Sequence, residues 1–107
     1  WLIWNDSLLF LQKPSTLHVS SIQSFQISAE IPLSSDFLQI CSNQKIWAIS
    51  ENKQLISFTI NPLSSTIVEE EIYPLLFDSE QYQLHCSSNA LYLYDTINRV
   101  LHRKHTE

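Results

Sequence analysis

Residues 37–60 read FLQICSNQKIWAISENKQLISFTI. Three apolar runs are separated by Ser42-Asn43-Gln44 and Glu51-Asn52-Lys53, polar triplets of the kind that turn a chain between strands. This spacing predicts an antiparallel meander. Upstream, FQISAEI sets Phe25, Ile27, Ala29 and Ile31 on one face and Gln26, Ser28 and Glu30 on the other, the period of two of a half-buried strand. Downstream, after a break at residues 61–65, TIVEEEIY supplies a fourth and more polar strand whose acidic run Glu69, Glu70 and Glu71 lies between Val68 and Ile72. Charge of this sort keeps an exposed sheet edge from pairing with other molecules. The same run has a second reading, as a docking edge for a basic partner.

The chain has no glycine, yet two-residue hairpins need positive φ and usually take it from that residue. Asn5-Asp6, Asn43, Asn52, Asn89 and Asn98 stand at the expected turns, so asparagine is the expected substitute.

With the turns as anchors, an internal repeat emerges. CSNQKIWAIS lies over CSSNALYLYD at an offset of 45 residues, which matches Cys41 to Cys86, Trp47 to Tyr92 and Ile49 to Tyr94. WNDSLLFLQ fits the same frame at an offset of 37, with Trp4 on Cys41 and Phe10 on Trp47. One unit then spans residues 1–31, with strands near 2–4, 8–12, 17–22 and 25–31. A second spans 37–73, and a partial third with a tail spans 82–107. Four-stranded antiparallel units recurring at this spacing are the mark of β-propeller blades, each covering its neighbour's flat face. The expected fold is therefore all-β, a partial β-propeller of two blades and part of a third; a stand-alone β-sandwich that acts as a binding module is the competing architecture. In strand count and spacing the chain resembles degenerate WD40-like repeats, with Tyr94-Asp95 as the nearest echo of the Trp-Asp pair. That resemblance implies a non-catalytic scaffold for protein–protein interaction. Because closed propellers need about 4 to 8 blades, a fragment, or a chain that pairs with the remaining blades of a larger propeller, is expected.

The C-terminal stretch ALYLYDTINRVLHRKHTE breaks the alternation, since Val100 and Leu101 are adjacent. A short helix is favoured there over a third strand: Asp95 suits an N-cap, Ile97, Val100 and Leu101 share a helical face, and Arg103 and Lys104 suit a helix C-terminus. The order Leu91-Tyr92, Asp95, Ile97, Arg103-Lys104 is also similar to the tail of the non-catalytic WD-repeat subunit of tRNA (guanine-N7) methyltransferase. That resemblance implies an accessory role beside a methyltransferase subunit and tRNA, with the cofactor belonging to the partner. On an otherwise acidic chain, Arg99, Arg103 and Lys104, flanked by His102 and His105, suit a phosphate backbone or an acidic partner surface.

Composition removes most other functions. With 11 acidic and 6 basic residues the net charge is -5, which repels nucleic acid unless cations are gathered in one place. The absence of glycine excludes phosphate-cradling loops, dinucleotide fingerprints and Gly-flanked nucleophile elbows. No catalytic, cofactor-binding or metal-binding residue is assigned: the four histidines, 18, 85, 102 and 105, lack ligand spacing, and neighbouring His85 and Cys86 point to opposite faces of a strand. Asp78 and Glu80 read as a solvated loop pair. Cys41 and Cys86 are expected to be buried free thiols. No apolar run approaches the 18 residues of a membrane span, and the cytoplasm or nucleus is the default location.

Overall fold

Alternation of apolar and polar residues, punctuated by polar turns, builds eleven strands among the described residues, and these form three antiparallel sheets in chain order. The computed structural model describes residues 2–5, 7–13, 15–24, 26–61, 64, 66–75 and 78–105. Sheet 1 holds β1 (Leu2–Trp4), β2 (Ser7–Lys13), β3 (Thr16–Ser21) and β4 (Ile27–Pro32). Sheet 2 holds β5 (Phe37–Ser42), β6 (Ile46–Ser50), β7 (Gln54–Asn61) and β8 (Thr66–Pro74). Sheet 3 holds β9 (Tyr82–Cys86), β10 (Ala90–Asp95) and β11 (Val100–His105), entered through a single 3-10 turn, Ser79–Gln81. Within each sheet every strand pairs with its sequence neighbour, so the meander expected from residues 37–60 is present. The strand expected from residue 25 starts at Ile27, and Phe25 lies outside the described residues.

Sheet 2 is the middle layer, which explains why its strands are the most apolar. Every residue of β6 is buried. Ile46 and Ala48, with Phe37, Ile56, Phe58 and Ile60, pack against Leu2, Leu9, Leu17 and Ile31 of sheet 1. Trp47, Ile49 and Leu55 point the other way, onto Tyr82, Leu84 and Leu91 of sheet 3. A strand covered on both faces has no polar side to present, so alternation gives way to a continuous apolar run.

The C-terminal helix is corrected to a strand. Asp95 does cap a turn: its Oδ1 accepts the backbone N–H groups of Ile97 and Asn98, each at 3.0 Å. The turn then stops at Arg99, whose φ of 56° reverses the chain, and β11 runs back along β10 with Asp95 opposite Val100. The same capping contact that starts a helix also closes a hairpin, and the open edge of β10 favours the hairpin.

Left-handed backbone is found at Asn5, Lys53, Glu69 and Arg99, so asparagine fills that role at only one of the expected turns. In the three-residue loop between Ser50 and Gln54 the last position must be left-handed, and Lys53 occupies it. Asn43 and Asn98 serve through their side chains instead, accepting from Lys45 N and Trp47 Nε1 in one case and donating to Asp95 Oδ2 in the other. Glu69 sits where two residues of β8 oppose one of β7, a bulge between the pairs Ser57–Glu71 and Thr59–Val68.

Cys41 and Cys86 are not free thiols. They form a disulfide between β5 and β9, with the Cα atoms 5.8 Å apart. Equivalent positions in neighbouring stacked units lie side by side, so the repeat frame that matched the two cysteines also brings them together.

Candidate functional site

The first strands of the three sheets lie beside one another, β1 against β5 and β5 against β9, and the polar contacts between sheets collect along this seam. Between sheets 1 and 2, Ser42 Oγ donates to Ile3 O at 3.0 Å and Trp4 Nε1 donates to Gln44 O at 3.3 Å. Between sheets 2 and 3, the Gln39 amide acts as a short length of strand: Nε2 donates to Tyr82 O at 2.6 Å, and Oε1 accepts Leu84 N–H at 2.9 Å. Asn43 Nδ2 donates to Ser87 O at 3.2 Å. No feature of the sequence marked Gln39, because a glutamine on a strand ordinarily faces water.

The basic residues singled out above are distributed, not gathered. Arg99 is in the exposed β10–β11 turn. On β11, Lys104 and His102 pair with Leu91 and Leu93 and share the face that looks toward sheet 2, while Arg103 pairs with Tyr92 on the opposite face. Lys104 Nζ stands 4.5 Å from the centroid of the Tyr73 ring, and that ring lies 6.3 Å from Trp47. Of the acidic run, Glu69, Glu70 and Glu71 are all exposed on β8. Glu71 accepts a short hydrogen bond from the Tyr73 hydroxyl. That bond, with Lys45 and Lys104 nearby, draws the Glu71 carboxyl below its usual range, and it holds the Tyr73 hydroxyl above its own. One member of each candidate group therefore meets at Tyr73, within the molecule.

Asp95 is the most strongly perturbed acid. The Asn98 backbone N–H, followed by the Gln81 and Asn98 side-chain amides and the Ile97 N–H, outweighs the cost of burial and lowers its pKa to about 2. Three of these donors meet Oδ1 and one meets Oδ2, and three of the four come from the turn itself, so the carboxylate is a fastener for the β10–β11 turn. Its charge, with burial as the larger cause, pushes the Tyr82 hydroxyl upward.

The recurrent aromatics divide. Trp47 is 3% exposed, and its indole N–H is satisfied by Asn43 Oδ1 at 3.1 Å. Phe10 does not share that role: Leu9 enters the core, whereas Phe10 stacks on His18 at 5.1 Å and lines an open cleft of 460 Å³ with Leu11, Leu38, Gln39 and Ile40. Tyr92 is half-buried on the face of sheet 3 away from sheet 2. A second cleft of 270 Å³ holds Leu38, Glu51, Lys53, Asp78 and Glu80, where Asp78 pairs with Lys53 at 3.2 Å. Cys86, being in a disulfide, offers His85 no thiolate. Among the described residues no three His, Cys, Asp or Glu side chains are grouped so as to hold a metal ion, and no helix is long and apolar enough to cross a membrane.

Compared with protein-family models and with curated proteins, the chain matches none.

Proposed function

We propose that the chain is a non-catalytic scaffold of β-propeller type that works through protein–protein contacts. The observation that carries this reading is the repeated seam: three sheets follow one another in chain order, and each meets the next along its first strand, β1 to β5 to β9. Blades of a propeller converge on an axis in this way, whereas a sandwich closes two sheets on each other. The outer faces of sheets 1 and 3 are the natural seats for further blades, and they carry exposed Ile3 on one side and half-buried Tyr92 and Tyr94 with exposed Leu101 on the other. The test is to express the chain with added four-stranded units on either side and record its shape by electron microscopy. A ring supports the reading, and an extended stack or a closed pair of sheets overturns it.

The accessory-subunit reading for a tRNA methyltransferase takes its support from the Asp95 and Arg103-Lys104 pattern, now on a hairpin instead of a helical tail. Copurification of a methyltransferase subunit from the native source is its test. For location, a cytoplasmic or nuclear scaffold competes with an oxidised compartment, which the Cys41–Cys86 bond favours because disulfides persist chiefly there. Alkylation of the native protein before any reduction separates the two: labelled cysteines indicate the cytoplasm or nucleus, and unlabelled ones the oxidised compartment.

A further inference from the structure

Gln39, Cys41 and Asn43 occupy alternate positions at the end of β5, and each is joined to sheet 3: Gln39 to Tyr82 and Leu84, Cys41 to Cys86, Asn43 to Ser87. Alternate residues of a strand share a side, so the covalent bond is the middle member of a row whose other members are hydrogen bonds. Both cysteines are half-buried, and they pack at the border of the Trp47 cluster instead of inside it. A thiol arriving from solvent meets the disulfide at the surface of the joint, where attack does not first require the chain to unfold.

Apart from this bond, the only chain connection between sheets 2 and 3 is residues 75–81. The apolar cluster that joins them is also smaller than the one between sheets 1 and 2. Opening of sheet 3 alone is therefore the cheapest sub-global motion of the molecule. With the disulfide in place, such an opening leaves residues 75–86 in a closed loop. Closing a loop of about a dozen residues disfavours the open state roughly a hundredfold by chain entropy. We infer that Cys41 and Cys86 form a redox-sensitive latch: a dithiol reduces their bond in the folded protein, and reduction frees sheet 3 to open from sheet 2 and uncover the apolar faces around Trp47 and Leu84.

The chemistry closes without a further reactant. A thiolate of the dithiol attacks one sulfur, forms a mixed disulfide and releases the other cysteine as a thiolate, which takes a proton. The second thiolate of the dithiol then displaces the first cysteine, so two electrons pass to the pair and the dithiol leaves as its own disulfide. The return is prepared as well. Whenever the reduced joint is closed, the Gln39 clamp and the Asn43–Ser87 bond restore the register that sets the two cysteines opposite each other.

This inference goes beyond the scaffold reading and does not rest on it. The oxidised chain is treated with millimolar dithiothreitol at neutral pH without denaturant, and free thiols are counted by alkylation and mass. Two thiols per chain are expected, released at a rate proportional to the dithiol concentration. Hydrogen exchange of the reduced chain should be faster by roughly a hundredfold in residues 82–95, with residues 46–60 unchanged, and glutathione disulfide should restore the slow exchange. C41S with C86S should exchange like the reduced chain and ignore the dithiol; should it fail to fold, the oxidised and reduced wild type decide alone. A reduction rate independent of dithiol concentration overturns the inference, because it means that the bond is reached only through unfolding. Exchange that is unchanged on reduction, or accelerated equally in all three sheets, overturns it too, and leaves the disulfide a permanent staple. If the latch responds but added units never form a ring, the propeller reading fails alone; if the ring forms and the latch is inert, only the present inference fails.

Discussion

The two joints of the molecule, sheet 1 on sheet 2 and sheet 2 on sheet 3, perform the same task with different materials. The first is mainly apolar, with only the Ser42–Ile3 and Trp4–Gln44 hydrogen bonds at its seam: Leu2, Leu9, Leu17 and Ile31 meet Ile46, Ala48, Ile56, Phe58 and Ile60, and the Phe37 and Phe58 rings stand 5.9 Å apart. The second has a smaller apolar cluster around Trp47 and adds a disulfide, the two-point Gln39 clamp, the Asn43–Ser87 bond and Lys104 over Tyr73. Apolar burial is non-directional and tolerates sliding, whereas a clamp and a covalent bond set one register. The lesson is that the smaller joint obtains through directional bonds the fixity that the larger one obtains through area.

The sharpest way to break the contrast is to truncate the ring at the centre of each joint. Phe58→Ala and Trp47→Ala are each expected to cost about 3–5 kcal/mol in denaturant unfolding. Only the Trp47 variant should leave a species with sheets 1 and 2 intact, because its loss is confined to the second joint; hydrogen exchange resolved by strand checks this. Next comes the covalent bond. Replacing Cys41 and Cys86 by serine should cost about 4 kcal/mol on the chain-entropy account for a separation of 45 residues, and the reduced wild-type chain should match the variant.

Gln39→Ala is expected to cost about 1–3 kcal/mol, because it strands the carbonyl of Tyr82 and the N–H of Leu84 between two sheets. A loss below measurement error would return the second joint to apolar packing alone. For Asp95 the sign follows from its lowered pKa. The stabilisation is complete above the ordinary value of 3.8 and is lost as the pH falls toward about 2. Acid unfolding of the wild type should therefore steepen across that window, and Asp95→Asn should remove the steepening. The smallest effect belongs to Lys104→Gln, about 0.5–1 kcal/mol for an exposed cation over a ring, with a change in tyrosine fluorescence from Tyr73 as the local readout.

What could be read in advance follows from which forces are local. Strand positions in sheet 2 were legible because Ser42-Asn43-Gln44 and Glu51-Asn52-Lys53 interrupt apolar runs, and both turns lie where expected. The two-sided burial of β6 was implicit in IWAIS, which has no polar face. Residues 95–105 misled because Asp95 satisfies the same amides whether the chain goes on to a helix or turns back, and the choice depends on β10, which is remote from any local signal. The pairing of Cys41 with Cys86 was present in the repeat frame but hidden by judging each cysteine from its own neighbours. Phe10 was misplaced for a related reason: β2 meets sheet 2 through Leu9, one residue earlier, and a shift of one residue in a strand exchanges its faces. The candidate basic group was legible as composition only, since strand alternation splits Arg103 from Lys104.

The bond between Cys41 and Cys86 also makes a covalent ring of everything from β5 to β9. A protease that cuts once anywhere in residues 42–85 severs the backbone without releasing a piece, and the two products part company only when a thiol is added. Electrophoresis of nicked protein with and without reductant would read out that ring directly, and nicking would leave the contact of β9 with β5 tethered where an open chain would let it drift apart.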